Sequence, residues 1–213
     1  MQNHGGYNYE DYSNTIEVSQ YSESPGDVSQ YLSLLNETDK AVEQLIRYFE
    51  ANDRDVVIVL FGDHMPGFTS EFYERVNGGP IDTPEEKSLI YKVPFFIWTN
   101  KEIDNKYIET TSLNYLSNFM YEVADLPFPP YGAFLEDIRV EIPAISAQII
   151  CWANGQVEYM EDQKAENGSA LNRYSQLAYN SLFDSDRSAF FIGTKLNTDI
   201  TNRNNDSIKG TDN

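Results

Sequence analysis

The sequence predicts an α/β fold followed by a smaller α+β unit. Three observations carry that expectation. Two short apolar runs, at 56–61 and 92–98, are rich in β-branched and aromatic residues, as strands buried on both faces are. Each is followed by a segment whose apolar residues return at helical spacing, and alternating helices and buried strands make a layered α/β domain. After about residue 138 the apolar segments shorten and cluster around Gly155, which suits a small appended unit.

Residues 1–27 are rich in Gly, Tyr, Asn and Ser and show no period, so they read as a strand end and a long surface loop. Asp27 can cap a helix over about 28–51, whose apolar face would be Leu32, Leu35, Ala41, Val42, Leu45, Ile46 and Phe49. Glu37, Asp39, Lys40, Glu43 and Arg47 fall on its wet face. Residues 65–91 read as a loop with one short helix, because Gly78, Gly79, Pro80 and Pro84 interrupt anything longer. Pro94 belongs near the start or edge of the second strand, since it has no amide to donate. Leu113, Leu116, Phe119, Met120 and Val123 mark another helix, ended by Pro127, Pro129 and Pro130. An outer strand at 147–152 turns at Gly155 into a partner at 156–160, and Leu171, Tyr174, Leu177, Ala178 and Leu182 form a last helix. Residues 194–213 carry little apolar content and read as a disordered tail.

The chain has 213 residues, 40% of them hydrophobic, which is enough to bury a core. Its formal charge of −19 argues against nucleic acid or an anionic membrane surface as a partner, because both need basic patches. One cysteine, Cys151, excludes an internal disulfide framework and a thiolate-rich metal site. The 15 tyrosines suit sugar or interface contacts as well as ordinary half-buried packing. No apolar run reaches the roughly 18 residues of a membrane span. Met1 opens straight into motif-like sequence without a signal peptide, which suggests a piece of a larger protein.

The chemistry concentrates at Gly62-Asp63-His64, where the first apolar run ends. Open α/β sheets place ligand sites at the carboxyl ends of their strands. A carboxylate and an imidazole together suit a borderline divalent metal. Neighbours along a strand point to opposite faces, so both can meet one ion only if the chain leaves the strand at Gly62. A loop-capping Asp63 and a backbone-satisfied His64 remain the structural alternative. His4, in Gln2-Asn3-His4-Gly5-Gly6-Tyr7, can donate to a phosphate or sulfate oxygen, or can be an ordinary loop histidine. Trp98 reads as core rather than a substrate platform. Gly-rich phosphate loops, CxxC pairs and a G-x-S-x-G elbow are absent from the sequence.

The segments 1–7, 31–41, 57–64, 93–100 and 174–183 together resemble, in order, the catalytic domain of lipoteichoic acid synthases, sulfatase-like members of the alkaline phosphatase superfamily. The resemblance implies a three-layer alkaline-phosphatase-like domain of which residues 1–138 are the C-terminal half. Residues 139–193 would form the small subdomain. It implies Asp63 and His64 as two ligands of a divalent metal, usually manganese, with magnesium, zinc and calcium as alternatives. It implies His4 as a contact to a phosphoglycerol head group. The substrate would be phosphatidylglycerol or a polyglycerolphosphate-type chain, at the extracellular face of a bacterial cytoplasmic membrane reached through an N-terminal region not in this sequence. The family's threonine nucleophile and a metal-binding Glu lie upstream of the segment matching His4, so no catalytic nucleophile is expected here. An intact parent would be a transferase, and this chain alone would be inactive. Rival readings are a sulfatase or other phosphodiester or sulfate-ester hydrolase, and a secreted binding domain without catalysis. A sheet cut in half would also leave an open edge and promote self-association.

Overall fold

The computed structural model describes residues 6–7, 12–19, 25–164 and 166–183. The predicted 194–213 tail lies outside the described residues.

Helix α1 spans Pro25–Glu50. It starts earlier than expected because a proline is tolerated in the first turn of a helix, where its missing amide has no partner to lose. Asp27 therefore sits inside the first turn, where its charge opposes the helix dipole, rather than at the cap. The N-terminal half of α1 is held through polar side chains. Ser33 Oγ accepts from the amides of Thr15 and Ile16, and Ser29 Oγ accepts from Val18. Both serines are fully buried. The expected apolar stripe is only partly covered: Leu35 and Leu45 are exposed at 47% and 43%. Glu37 and Lys40 pair at 2.6 Å on the wet face, as expected of a solvated surface.

Strand β1 (Val57–Phe61) and strand β2 (Phe95–Thr99) form an antiparallel two-stranded sheet, with Val57 opposite Thr99 and Phe61 opposite Phe95. The strands are where the apolar runs place them, but they are mostly half-buried rather than enclosed on both faces. Each has one laddered neighbour among the described residues. Asn100 ties this sheet to the end of α1. Its amide donates to the carbonyls of Asn52 at 3.0 Å and Arg54 at 2.9 Å, and its Oδ1 accepts from Val56.

Two helices, not one, fill the loop between the strands: α2 (Ser70–Asn77) and α3 (Pro84–Leu89). Gly78 ends α2 at φ +81, a left-handed value that glycine adopts without strain. Thr83 and Glu86 form a reciprocal capping box at the start of α3. A 3-10 turn at Leu113–Tyr115 leads into α4 (Leu116–Val123), which packs on both strands.

Helix α5 (Pro130–Glu141) was not expected. Pro127, Pro129 and Pro130 do end the preceding helix, but Pro130 also opens the next, in the one place where proline favours a helix. Strands β3 (Ala144–Ile145), β4 (Ile149–Cys151) and β5 (Val157–Tyr159) form an antiparallel sheet turning at Gly155, φ +88. Helix α6 (Ala170–Phe183) follows. The main core joins residues from both sides of position 138: Tyr115, Phe119, Leu135 and Ile138 pack with Ile142, Ile150, Ala170 and Leu171. Asn118 is buried within the same layer and donates to Gly132 O and Glu136 Oε1, both at 2.8 Å.

Candidate functional site

The chain leaves β1 at Gly62, and the reason is steric. The Gly62 amide donates to Pro94 O at 3.0 Å, while a Cβ at Gly62 would lie 2.9 Å from Val93 Cβ. Only glycine lets the backbone pass β2 so closely. Beyond it, Asp63 and His64 no longer alternate between faces. His64 Nε2 lies 3.6 Å from Asp63 Oδ2, and the His64 amide donates to Asp63 Oδ1 at 2.9 Å. His64 Nδ1 faces Met65 O at 2.8 Å. With Nδ1 donating to that carbonyl, the neutral ring carries its lone pair on Nε2, the nitrogen turned toward Asp63.

This pair fits a metal ion in chemistry and spacing. Two ligands each about 2.1 Å from a tetrahedral ion stand roughly 3.4 Å apart. The side chains are 81% and 65% exposed, so further ligands can approach from the open side. Among the described residues no group of three or more His, Cys, Asp and Glu side chains could hold a metal by itself. Asp63 and His64 are thus a matched pair, not a complete set.

The loop behind the pair is fixed by aromatic packing. Tyr73 Oη donates to Pro66 O. Phe68 packs against Phe72 at 4.7 Å between ring centroids and meets Tyr31 edge-on at 5.8 Å. Tyr7 joins this cluster, 5.7 Å from Phe68 and 5.3 Å from Tyr31. Burial pushes the Tyr31 and Tyr73 hydroxyls above their ordinary pKa. His4 itself lies outside the described residues, but Tyr7, three residues on, is packed against the loop that carries His64.

Asp63 stands at one end of a groove of about 760 Å³. It runs between the start of β2 and the three-stranded sheet, along the 107–113 segment. Its walls include Tyr91, Lys92, Tyr107 and Gln148, none of which stood out in the sequence. A tyrosine excess was the one signal pointing to them. Trp98 is half-buried in β2 opposite Ile58, a packing position as expected. Cys151 also lines the groove, and burial pushes its thiol above the ordinary pKa.

The family model described as Sulfatase matches residues 1–126. A protein of Rhizobium meliloti (strain 1021), named for cyclic beta-1,2-glucan modification, is 26% identical over 193 residues, covering 86% of this chain. The Streptococcus pyogenes phosphoglycerol transferase GacH, solved in complex with sn-glycerol-1-phosphate, matches in structure over 83% of this chain, with a TM-score of 0.57 and 16% identity. The chain spans 30% of the length of the first protein and 40% of the second. Among the described residues no helix is long and apolar enough to cross a membrane. The family match takes in more than half of the 213 residues, and the fold agrees with it: the chain belongs to the sulfatase family, with its alkaline-phosphatase-like fold.

Proposed function

We propose that this chain is the C-terminal part of a divalent-metal-dependent phosphoglycerol transferase of lipoteichoic acid synthase type, with a phosphatidylglycerol-type donor. The observation that carries the reading is the Asp63 and His64 pair at the end of β1, with Oδ2 and Nε2 3.6 Å apart. The fold it shares with GacH supports the same reaction class, and the sulfatase family supports chemistry on phosphate or sulfate esters.

In this reading Asp63 and His64 hold the ion, with manganese first and magnesium, zinc and calcium as alternatives. When bound, a divalent ion activates an attacking hydroxyl and neutralises charge on the phosphoryl oxygens. Met65 O fixes the His64 tautomer, and Asp63 Oδ1 is turned onto the His64 amide, leaving Oδ2 for the ion. His4 supplies hydrogen bonds to the transferred phosphoglycerol group. Three residues span at most about 10 Å of chain, so the packing of Tyr7 on Phe68 keeps His4 within reach of this loop. The nucleophile and the remaining ligands come from upstream of residue 1, in a protein anchored at the outer face of a bacterial cytoplasmic membrane. This chain alone is accordingly inactive.

A second reading has water as the acceptor, which makes the same site a hydrolase, and the sulfatase family match favours it. Product analysis of the whole enzyme separates the two: a phosphoglycerol-bearing acceptor or free glycerol phosphate. The site itself is tested by manganese titration of the purified protein, followed by electron paramagnetic resonance. Asp63→Asn and His64→Ala should each weaken binding about ten-fold or more. Equal affinity in the wild type and both variants would sink the metal assignment.

A further inference from the structure

We infer that the groove opening at Asp63 is the acceptor subsite, and that the acceptor is an uncharged glycan. The inference rests on the transferase reading above and names the second substrate of that same site. Three independent features of the groove point to this chemistry.

The first is position. A transfer site needs its acceptor beside the reacting group, and Asp63 is both a member of the proposed metal pair and part of the groove wall. The groove's volume of about 760 Å³ falls inside the range of roughly 300–1,000 Å³ common to small-molecule sites.

The second is the lining. Phe61, Tyr91 and Tyr107 present aromatic surface to it and are 47%, 43% and 89% exposed. Exposed aromatic faces next to hydrogen-bonding side chains suit sugar rings, which have apolar faces and hydroxyl edges. The polar groups are uncharged for the most part. Gln148 and Tyr91 meet across the groove, with Tyr91 Oη donating to Gln148 Oε1 at 2.6 Å. Thr111 Oγ1, in the same wall, is buried and meets no hydrogen-bond partner among the described residues. A ligand hydroxyl would satisfy it. A purely hydrocarbon occupant would leave it unpaired, which weighs against a lipid tail.

The third is charge. The groove's ionisable side chains are Asp63 and Glu109 against Lys92 alone. The whole chain carries a formal −19. A growing poly(glycerol phosphate) chain adds a negative charge with each repeat and would be repelled along this wall. A neutral glycan is not. The resemblance to a protein named for cyclic beta-1,2-glucan modification lies in the same direction.

The test is a calorimetric titration of the purified protein with β-1,2-linked glucan oligosaccharides in the presence of EDTA. Parallel titrations use poly(glycerol phosphate) and phosphatidylglycerol vesicles. Saturable glucan binding is expected, weakened about five-fold or more by Tyr107→Ala and by Tyr91→Ala, as truncated aromatic anchors are. Tyr107 is so exposed that its replacement leaves the fold intact, and a matched thermal melt confirms this. Absent glucan binding, binding indifferent to both substitutions, or tighter capture of the anionic polymer or the vesicles would each overturn the inference. EDTA makes this measurement blind to the metal pair, whereas the manganese titration reads only that pair. Either assignment can therefore fail without the other.

Discussion

Gly62 and Val93 touch so closely that a single added carbon would come within 2.9 Å of the valine Cβ. That contact steers the chain off β1 and turns two successive residues, Asp63 and His64, toward each other. Val93 is β-branched and stiff, so it has little room to yield. Gly62→Ala should cost about 1–3 kcal/mol by overpacking. It should also weaken manganese binding, because relief of the clash displaces Asp63. Chemical denaturation and the manganese titration check the two effects. An alanine variant with native stability and native metal affinity would show that the glycine is incidental.

The loop after His64 depends on Tyr73, whose hydroxyl donates to Pro66 O. Tyr73→Phe keeps the ring in the aromatic cluster and removes only that bond. Its cost in stability should be about 1 kcal/mol. Manganese affinity should fall several-fold, up to about the ten-fold typical of lost supporting contacts. Unchanged affinity in a variant whose melting temperature has dropped would restrict Tyr73 to stability.

Much of this arrangement is legible in the sequence, and what is not has identifiable causes. The strands and the helices α1, α4 and α6 follow from the period of their apolar residues, which is a local signal. The Gly-Asp-His junction is legible because an apolar run stops there without a gradual transition. Helix α5 is not, since Pro130 serves as a stop signal and a start signal at once. The antiparallel pairing of β1 with β2 is a long-range choice that neither segment encodes alone. For the same reason the contact of Tyr7 with Phe68, and the groove joining Asp63 to Gln148, become visible only once the chain is folded.

Asn118, Glu136 and Arg139 form a small polar network at the edge of the core. Burial alone would push the Glu136 carboxyl up, but hydrogen bonds from Arg139 and Asn118 outweigh it and hold the carboxyl below its ordinary range. A carboxyl lowered on folding contributes stability above its unfolded pKa, about 4.3, and loses it as pH falls through the folded value. Stability should therefore decline on the acid side of about pH 4.3, with a shallower decline in Glu136→Gln. Asn118→Ala removes both donated bonds and leaves Gly132 O buried without that partner, at a cost of about 1–3 kcal/mol. Melting temperatures of the three proteins between about pH 3 and 7 decide this, and an identical acid limb in wild type and Glu136→Gln would refute it.

The same core contains its alkaline counterpart. Tyr115 is fully buried, donates to Ile142 O at 2.8 Å, and has its hydroxyl pKa pushed up to about 12, chiefly by burial. A group raised on folding contributes stability that is complete below its unfolded pKa, about 10, and disappears as pH rises through the folded value. Tyr115 thus favours the folded state at neutral pH and loses that contribution between about pH 10 and about 12. Tyr115→Phe should lower stability at neutral pH by about 1–3 kcal/mol, since Ile142 O loses its donor inside the core. It should also flatten the alkaline limb, because the group that must stay protonated is gone. Denaturation midpoints measured from about pH 7 to 11 test both parts. A variant as stable as wild type at neutral pH would mean that Ile142 O finds another partner and that the hydroxyl is dispensable to the core.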